Sequence, residues 1–343
     1  MKMKVSNLIS PQVILGSFLV LLIIIAYLMK IEISPLIEDA LIRLPMNGVM
    51  VLSLLPMLRA GLSINFGLPV GIIGGLVGMC IALNFELTGF IGFTASILFT
   101  ILVCSILGYG YSKLIIKAEG REEIASNFIG LSFIPLSCIF WATAPFSNPS
   151  MLFPVGGEGL RTKIGLQDYF SEVLNNFLNI DLGFINIPLG FIGLFLLLCF
   201  IIKGFFNTKT GFAIIAVGEN KKFSYITGLN IRKSKEIAVV LSTILAGIGI
   251  CFYSQSYGFV ELYNSPSMMA FSAASSILIG GYMGKEANIT QVILGTFIFQ
   301  SIFIVSVPIS NQLLVPELAE IIRTILTNAI ILYAMFARGK MTR

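Results

Sequence analysis

Ten stretches of this chain are apolar over the length needed to cross a lipid bilayer, near residues 13–29, 46–64, 68–84, 90–112, 123–144, 185–206, 236–257, 267–284, 288–306 and 318–336. A spanning α-helix needs roughly 20 consecutive, mostly apolar residues. Backbone N–H and C=O groups cannot stay unpaired in hydrocarbon, so only helices and closed barrels span it. None of these stretches alternates apolar with polar residues as a lipid-facing barrel strand does. The expected fold is therefore an all-α integral membrane protein of about ten transmembrane helices, forming one domain over residues 1–343. Composition excludes a soluble alternative. Hydrophobic residues make up 56% and charged residues 11% of the chain, against roughly 25% charged in soluble domains.

The first apolar run follows MKMKVSNLIS, has no small-residue cleavage site and leads into Lys30 and Glu32. It reads as a retained helix rather than a signal peptide. With that helix running from inside to outside, seventeen of the 22 Lys and Arg residues fall on the cytoplasmic side. Lys30, Arg43, Arg161 and Lys163 fall outside, and Arg323 lies within the last run. Cytoplasmic loops carry an excess of Lys and Arg, so both termini are expected in the cytoplasm.

Two connections are long. The extracytoplasmic one, about 145–184, contains Pro145, Pro149, Pro154, Gly156, Gly157 and Gly159, then LQDYFSEVLNNFLNI, an amphipathic stretch able to lie on the membrane surface as a short helix. The cytoplasmic one, about 207–235, is basic and too polar for lipid. Its glycines, Gly211 and Gly218 to Gly228, bracket a small helix that can seat in a groove of another protein.

Several chemistries find no residues. The chain has no histidine, and its five cysteines lie in apolar runs with no C-x-x-C pair, where they read as packing residues. No nucleophile has a base at recognisable spacing, so no catalytic residue and no metal site are expected. No clustered basic face with interleaved aromatics suggests nucleic acid. Ionisable residues within the runs are almost limited to Arg59, Glu320 and Arg323, the last two three apart and reading as a mutual ion pair. That leaves little for a proton-coupled carrier to protonate. No phosphate-binding G-x-x-x-x-G-K-[ST] occurs, since Gly284-Lys285 meets Glu286 and Gly339-Lys340 meets Met341. If ATP supplies the energy, a separate chain binds it.

Candidate pathway residues follow from amides and breaks in otherwise apolar helices. Asn65, between Gly61 and Gly67 and close to Ser63, puts an amide at a broken helix, where it can hydrogen-bond a polar solute. Gly71, Gly74, Gly75 and Gly78 recur at spacings of three and four on one face, as expected for close helix packing or for a pathway wall. Tyr253, Gln255 and Tyr257 near one helix end, with Trp141 at another, read as interfacial anchors or as solute-stacking groups. Asn328, in the middle of the last run, reads as an interhelical hydrogen bond or a solute contact.

The run TKTGFAIIAVGENKKFSYITGLNIRKSKEIAVVLSTILAGIG from Thr208 resembles the permease subunits of ABC importers for monosaccharides, nucleosides and branched-chain amino acids, the ribose-type inner-membrane translocators. The resemblance rests on Thr208 or Thr210 with Gly211, on Ala216-Val217-Gly218-Glu219-Asn220, on Gly228-Leu229-Asn230 and Lys235, and on Leu241-Ser242 with Leu245-Ala246-Gly247. The Gly-rich segment Leu54 to Gly78 and the Ile277 to Gly281 break extend it over roughly residues 50–336.

This resemblance implies a BtuC-like or ribose-permease-like bundle in the bacterial inner membrane, with a cytoplasmic coupling helix. Gly211, Gly218, Glu219, Asn220, Lys221 and Gly228 then mark the coupling segment. Gly61, Ser63, Asn65, Gly67, Tyr253, Gln255 and Asn328 mark the pathway. The implied partners are ABC ATPase subunits carrying ATP and Mg, a second copy or a homologous permease, an extracytoplasmic solute-binding protein and the lipid bilayer. The chain itself would bind no cofactor. The implied cargo is a small polar solute, a monosaccharide or nucleoside foremost, with a branched-chain amino acid or vitamin as the alternative. An ATP-independent secondary carrier is the reading from outside the family.

Overall fold

The structure, a computed structural model, describes residues 11–153, 159–282, 284 and 287–313. In chain order come α1 (Pro11–Leu28), α2 (Ile33–Leu52), α3 (Leu55–Arg59), α4 (Leu68–Asn84), α5 (Gly89–Lys117) and α6 (Glu122–Thr143). Three short strands follow, β1 (Lys163–Gly165), β2 (Asn179–Asp181) and β3 (Asn186–Pro188). The rest is α7 (Leu189–Phe206), α8 (Lys209–Glu219), α9 (Lys221–Ile226), α10 (Ile231–Tyr257), β4 (Phe259–Glu261), α11 (Ser265–Ile279) and α12 (Ile289–Leu313).

Among the described residues, α5, α6, α7, α10 and α12 are long and apolar enough to cross a membrane, while α1, α4 and α11 are apolar but shorter. The protein is a multi-pass membrane protein built mostly of helices. The run at 318–336, with Glu320, Arg323 and Asn328, lies outside the described residues.

α4 lies at the centre. Apolar or small around its whole circumference, it is buried on every side from Leu68 to Leu83 apart from Val77 and Ile81, as expected of a helix enclosed by others. Its glycines form two stripes rather than one face. A methyl group at Gly71 or Gly75 would strike the carbonyl oxygens of Thr243 and Gly247 on α10, each at 2.5 Å. Gly74 and Gly78 instead face Cys104 and Thr100 of α5. Small residues on both flanks let two neighbours close on one central helix. α5 turns Leu98, Leu102 and Ile106 outward, where they are exposed.

The apolar run at 46–64 is not one helix. α2 starts earlier, at Ile33, and stops at Leu52. Pro56 then sits in the first turn of the five-residue α3, a position where its missing N–H costs nothing. Gly61, at φ +70°, closes α3: its N–H donates to Leu58 O at 3.2 Å and that of Leu62 to Met57 O at 3.0 Å. That bond pair defines the Schellman stop. Residues 62–67 cross to α4 without helical structure.

The amphipathic stretch 166–180 is likewise not a surface helix. Residues 167–175 form turns, and Leu166, Phe170 and Leu174 are fully buried in the protein. Two backbone N–H groups of the stretch reach the end of α10. Leu166 N donates to Gly258 O at 2.9 Å and Glu172 N to Gln255 O at 2.7 Å. β1 pairs antiparallel with β4, Ile164 opposite Val260, and β2 with β3, Ile180 opposite Ile187.

Candidate functional site

The basic segment 207–235 is folded, and its polar motif residues are helix starts. Thr208 Oγ1 accepts the Gly211 N–H at 3.2 Å and opens α8. Asn220 Oδ1 accepts the Phe223 N–H at 2.9 Å and opens α9. Asn230 Oδ1 accepts the Lys233 N–H at 2.9 Å and opens α10. Each satisfies one of the orphan donors of a first turn. Gly228, at φ +77°, ends α9 with the Schellman bond pair, to Tyr225 O and Ser224 O. Gly211 is buried against the backbone of Phe205 and Phe206, which folds α8 back on the end of α7.

α8 buries Ile214 and Val217 and exposes Phe212 and Glu219, and Asn220 after it is exposed as well. α9 exposes Phe223, Tyr225 and Ile226. Beside them a groove of about 550 Å³ is lined by Lys117, Glu119, Lys221, Tyr225, Arg232 and Lys235. Lys221 pairs with Glu119 and holds that carboxyl below its usual value, first through the hydrogen bond and then through charge attraction. Glu236 receives Lys113 at 2.6 Å and Arg232 at 3.1 Å, and Lys235 lies 4.0 Å from Glu122. These ion pairs run between α5, α6, α10 and the segment of α9 at this end of the bundle.

The coupling and pathway candidates meet at one point. A methyl group on Gly218 would overlap the Arg59 carbonyl oxygen and come within 2.8 Å of the Gly61 nitrogen. One on Gly61 would sit 2.9 Å from Gly218 Cα. The last turn of α8 thus packs directly on the end of α3, backbone against backbone.

Arg59 then ties this joint to two more elements. Its Nε donates to Ala287 O and its Nη2 to Asn288 Oδ1, ahead of α12. Its guanidinium lies 5.7 Å from the Phe206 ring centre at the end of α7.

Asn65 holds the break from the other side. Its Oδ1 accepts from Gly67 N at 2.9 Å and from the Tyr111 hydroxyl at 2.6 Å. Its Nδ2 donates to Ser242 Oγ at 3.2 Å. Both carbonyl lone pairs and one of two amide hydrogens are thereby used, and the residue is 1% exposed. Gly67 packs against the Tyr111 hydroxyl.

We expect Asn65→Leu to leave the Tyr111 hydroxyl and the Gly67 N–H without these partners at a cost of about 2–3 kcal/mol. A lowered melting temperature in detergent, matched by Tyr111→Phe only in part, would show it. An unchanged melt would contradict this role.

Ser63 is half-buried and lines two cavities. One, about 440 Å³, is bounded by Phe66, Arg121, Glu123, Asn127 and Phe271. The other, about 210 Å³, is bounded by Arg59, Gly61, Gly218, Glu219 and Tyr282. The residues of the break therefore stand between two open spaces, with α8 forming the wall of one.

Tyr253 and Gln255 are not part of this cluster. They lie eleven and thirteen positions beyond Ser242 on α10, about 16–20 Å along its axis. Tyr253 stacks on Tyr257 with ring centres 5.2 Å apart. Gln255 is fully buried; its Oε1 accepts from Leu174 N at 3.2 Å and its Nε2 donates to Asn175 at 3.2 Å. Trp141 is fully buried rather than anchored at an interface, and its carbonyl oxygen accepts the Leu160 N–H at 3.1 Å. Asn328 lies outside the described residues. Tyr111, Ser242 and Ser126, whose Oγ accepts the Phe66 N–H at 3.3 Å, hold the break and were not among the pathway candidates, although Ser242 stood in the Leu241-Ser242 motif. For Tyr111 and Ser126 the available signal was hydroxyl groups recurring in helices that are otherwise apolar.

A family model described as branched-chain amino acid transport system / permease component matches residues 9–334. Comparison with curated proteins and with solved structures returns no match.

Proposed function

The chain belongs to the branched-chain amino acid transport permease family, an ABC-type permease component, and from that premise we propose that it is the membrane half of an ATP-driven importer. The observation that carries this reading is the seating of α8 on the broken helix through Gly218 and Gly61. A partner that binds ATP and grips α8 and α9 would displace the wall of the cavity at Ser63 without any flexible linkage between them. ATP and Mg would be held by the partner and none by this chain.

In this reading the segment 207–235 and both termini face the cytoplasm of a bacterium, across its inner membrane. Phe223, Tyr225 and Ile226, exposed beside a cationic groove, supply the apolar centre and charged rim of an ATPase contact. Two permease chains, identical or homologous, would line one pathway, and an extracytoplasmic binding protein would deliver the solute. The resemblance noted in the sequence puts a monosaccharide or nucleoside first. The family description brings branched-chain amino acids into the same test.

The test is uptake of labelled ribose, adenosine and leucine into proteoliposomes holding the chain with its co-purified ATPase and binding protein. ATP-dependent accumulation of one of them supports the proposal. Uptake that persists without ATP and collapses with the proton or sodium gradient overturns it in favour of a secondary carrier.

Lys221→Gln separates docking from folding. The Lys221 and Glu119 side chains are both more than half exposed, and such pairs contribute roughly 0–1 kcal/mol. We expect an unchanged melting temperature but weaker retention of the ATPase, with the difference fading at high salt. Equal retention at low salt would remove Lys221 from the contact.

A further inference from the structure

At the end of the bundle opposite α8, the β2–β3 hairpin is two-faced. Ile180 and Ile187 stand opposite each other on one face, Leu178 and Leu182 flank β2 at its two ends, and Phe184 occupies the turn. Leu178, Ile180, Leu182 and Phe184 are 67%, 45%, 51% and 70% exposed. The other face carries Asn179, Asp181 and Asn186, all exposed. An isolated two-stranded hairpin is marginal in water, and one that turns four large apolar side chains outward needs a covering surface.

Its position says which surface. β3 runs without a break into α7, a helix long and apolar enough to cross the membrane. Gly190, in the first turn of α7, donates its N–H to Phe177 O at 3.1 Å. The Phe177 ring lies 5.9 Å from Phe90 in the first turn of α5, another spanning helix. Ser34 Oγ bonds Phe184 O, and Glu38 Oε1 accepts Asn186 N at 2.7 Å, both from the start of α2. The hairpin is thus pinned at the level where three helices begin, beside the exposed Leu189, Ile91 and Phe90.

We propose that the β2–β3 hairpin is a membrane-dipping anchor whose Leu178, Ile180, Leu182 and Phe184 insert into the adjoining lipid leaflet while Asn179, Asp181 and Asn186 face water. An apolar face at this depth lies along the boundary between headgroups and acyl chains, as an interfacial helix does. The anchor does not depend on the ATPase reading, and it holds the segment that carries Leu174 at a fixed height over α10 and Gln255.

Trp141 is the one tryptophan of the sequence, which makes fluorescence decisive. Leu182→Trp and Asn179→Trp are made separately in a Trp141→Phe background. Each is reconstituted in phosphatidylethanolamine and phosphatidylglycerol vesicles containing phosphatidylcholine brominated near the top of one acyl chain, with iodide on both sides. At position 182 we expect brominated lipid to remove most of the emission while iodide has little effect, and at position 179 the reverse. Position 182 quenched by iodide alone would place the face in water. Protection from both quenchers would mean that a second protein surface covers it. Either result overturns the proposal. The same substitutions in the chain that keeps Trp141, read as a difference, give the result even if the Trp141→Phe background folds poorly.

Discussion

Gly218→Val should abolish ATP-dependent uptake while leaving the chain in the membrane. Even one methyl at this position overlaps the Arg59 carbonyl oxygen, and the obstacle is backbone, which cannot rotate away as a side chain can. Overpacking a tight contact typically costs about 1–3 kcal/mol. Here α8, held by Ile214, Ile215, Val217 and its folded-back start, is one short helix against the enclosed bundle and is the partner that gives way. We therefore expect α8 to lift from α3 rather than the bundle to unfold. Retained expression and melting temperature, with uptake lost, is the expected pattern. Gly218→Ala should give a milder form of the same loss, and Gly228→Ala, whose added methyl meets nothing within 4 Å, should cost only backbone strain. Full uptake by Gly218→Val would dissociate α8 from the transport step.

Arg59→Ala should have the second largest effect. It removes donors to Ala287 O and Asn288 Oδ1 and a cation from the Phe206 ring. Hydrogen bonds from charged groups contribute about 1.5–3 kcal/mol each, and a partly exposed cation over a ring about 0.5–1 kcal/mol. A clear fall in melting temperature is expected. Arg59→Lys is the sharper test. A lysine keeps the charge but has no planar fork with which to reach a carbonyl and an amide at once. We expect the Arg59→Lys chain to assemble with the ATPase and support ATP hydrolysis, yet move less solute per ATP than the unaltered chain. An unchanged ratio of solute to ATP would reduce Arg59 to a structural tie.

Helix starts and stops in this site are local signals, yet the glycines expected to bracket one small helix, Gly211 and Gly218, both lie within α8, and a second helix, α9, follows before Gly228. Thr208, Asn220 and Asn230 announce three helices within about two dozen positions, and Gly61 and Gly228 announce two stops. What each helix then touches was not legible. Arg59 finds its partners 228 and 229 positions away, and nothing adjacent in the chain points there. The early start of α2 was hidden by Glu38, Asp39 and Arg43, which look like loop residues. Glu38 instead pins the hairpin, and Arg43 lies 5.8 Å from the Phe303 ring centre on α12.

The stretch from Leu166 shows the limit of periodicity. Apolar residues at 166, 170 and 174 do mark one covered face. The spacing alone could not say whether lipid or protein covers it. The end of α10, with Gln255, takes the place the membrane was expected to fill, while the last residues of the stretch, Leu178 and Ile180, pass into the hairpin and stay exposed. Asn65 was read correctly as an amide at a broken helix, but its hydrogen bonds go to the protein.

The enclosure of α4 sets an order of events during synthesis. Gly247, against which Gly75 packs, lies 172 positions later in the chain. At about 5–20 residues per second, ribosomes need roughly 10–30 s to make that interval. For that time the glycine stripe that α4 later turns toward α10 has no partner from that helix, and a helix apolar on every side can wait in lipid without one. Its burial is a late docking event between helices already inserted. A polar substitution on α4 would therefore act first on a waiting helix in lipid, and only later on the finished bundle.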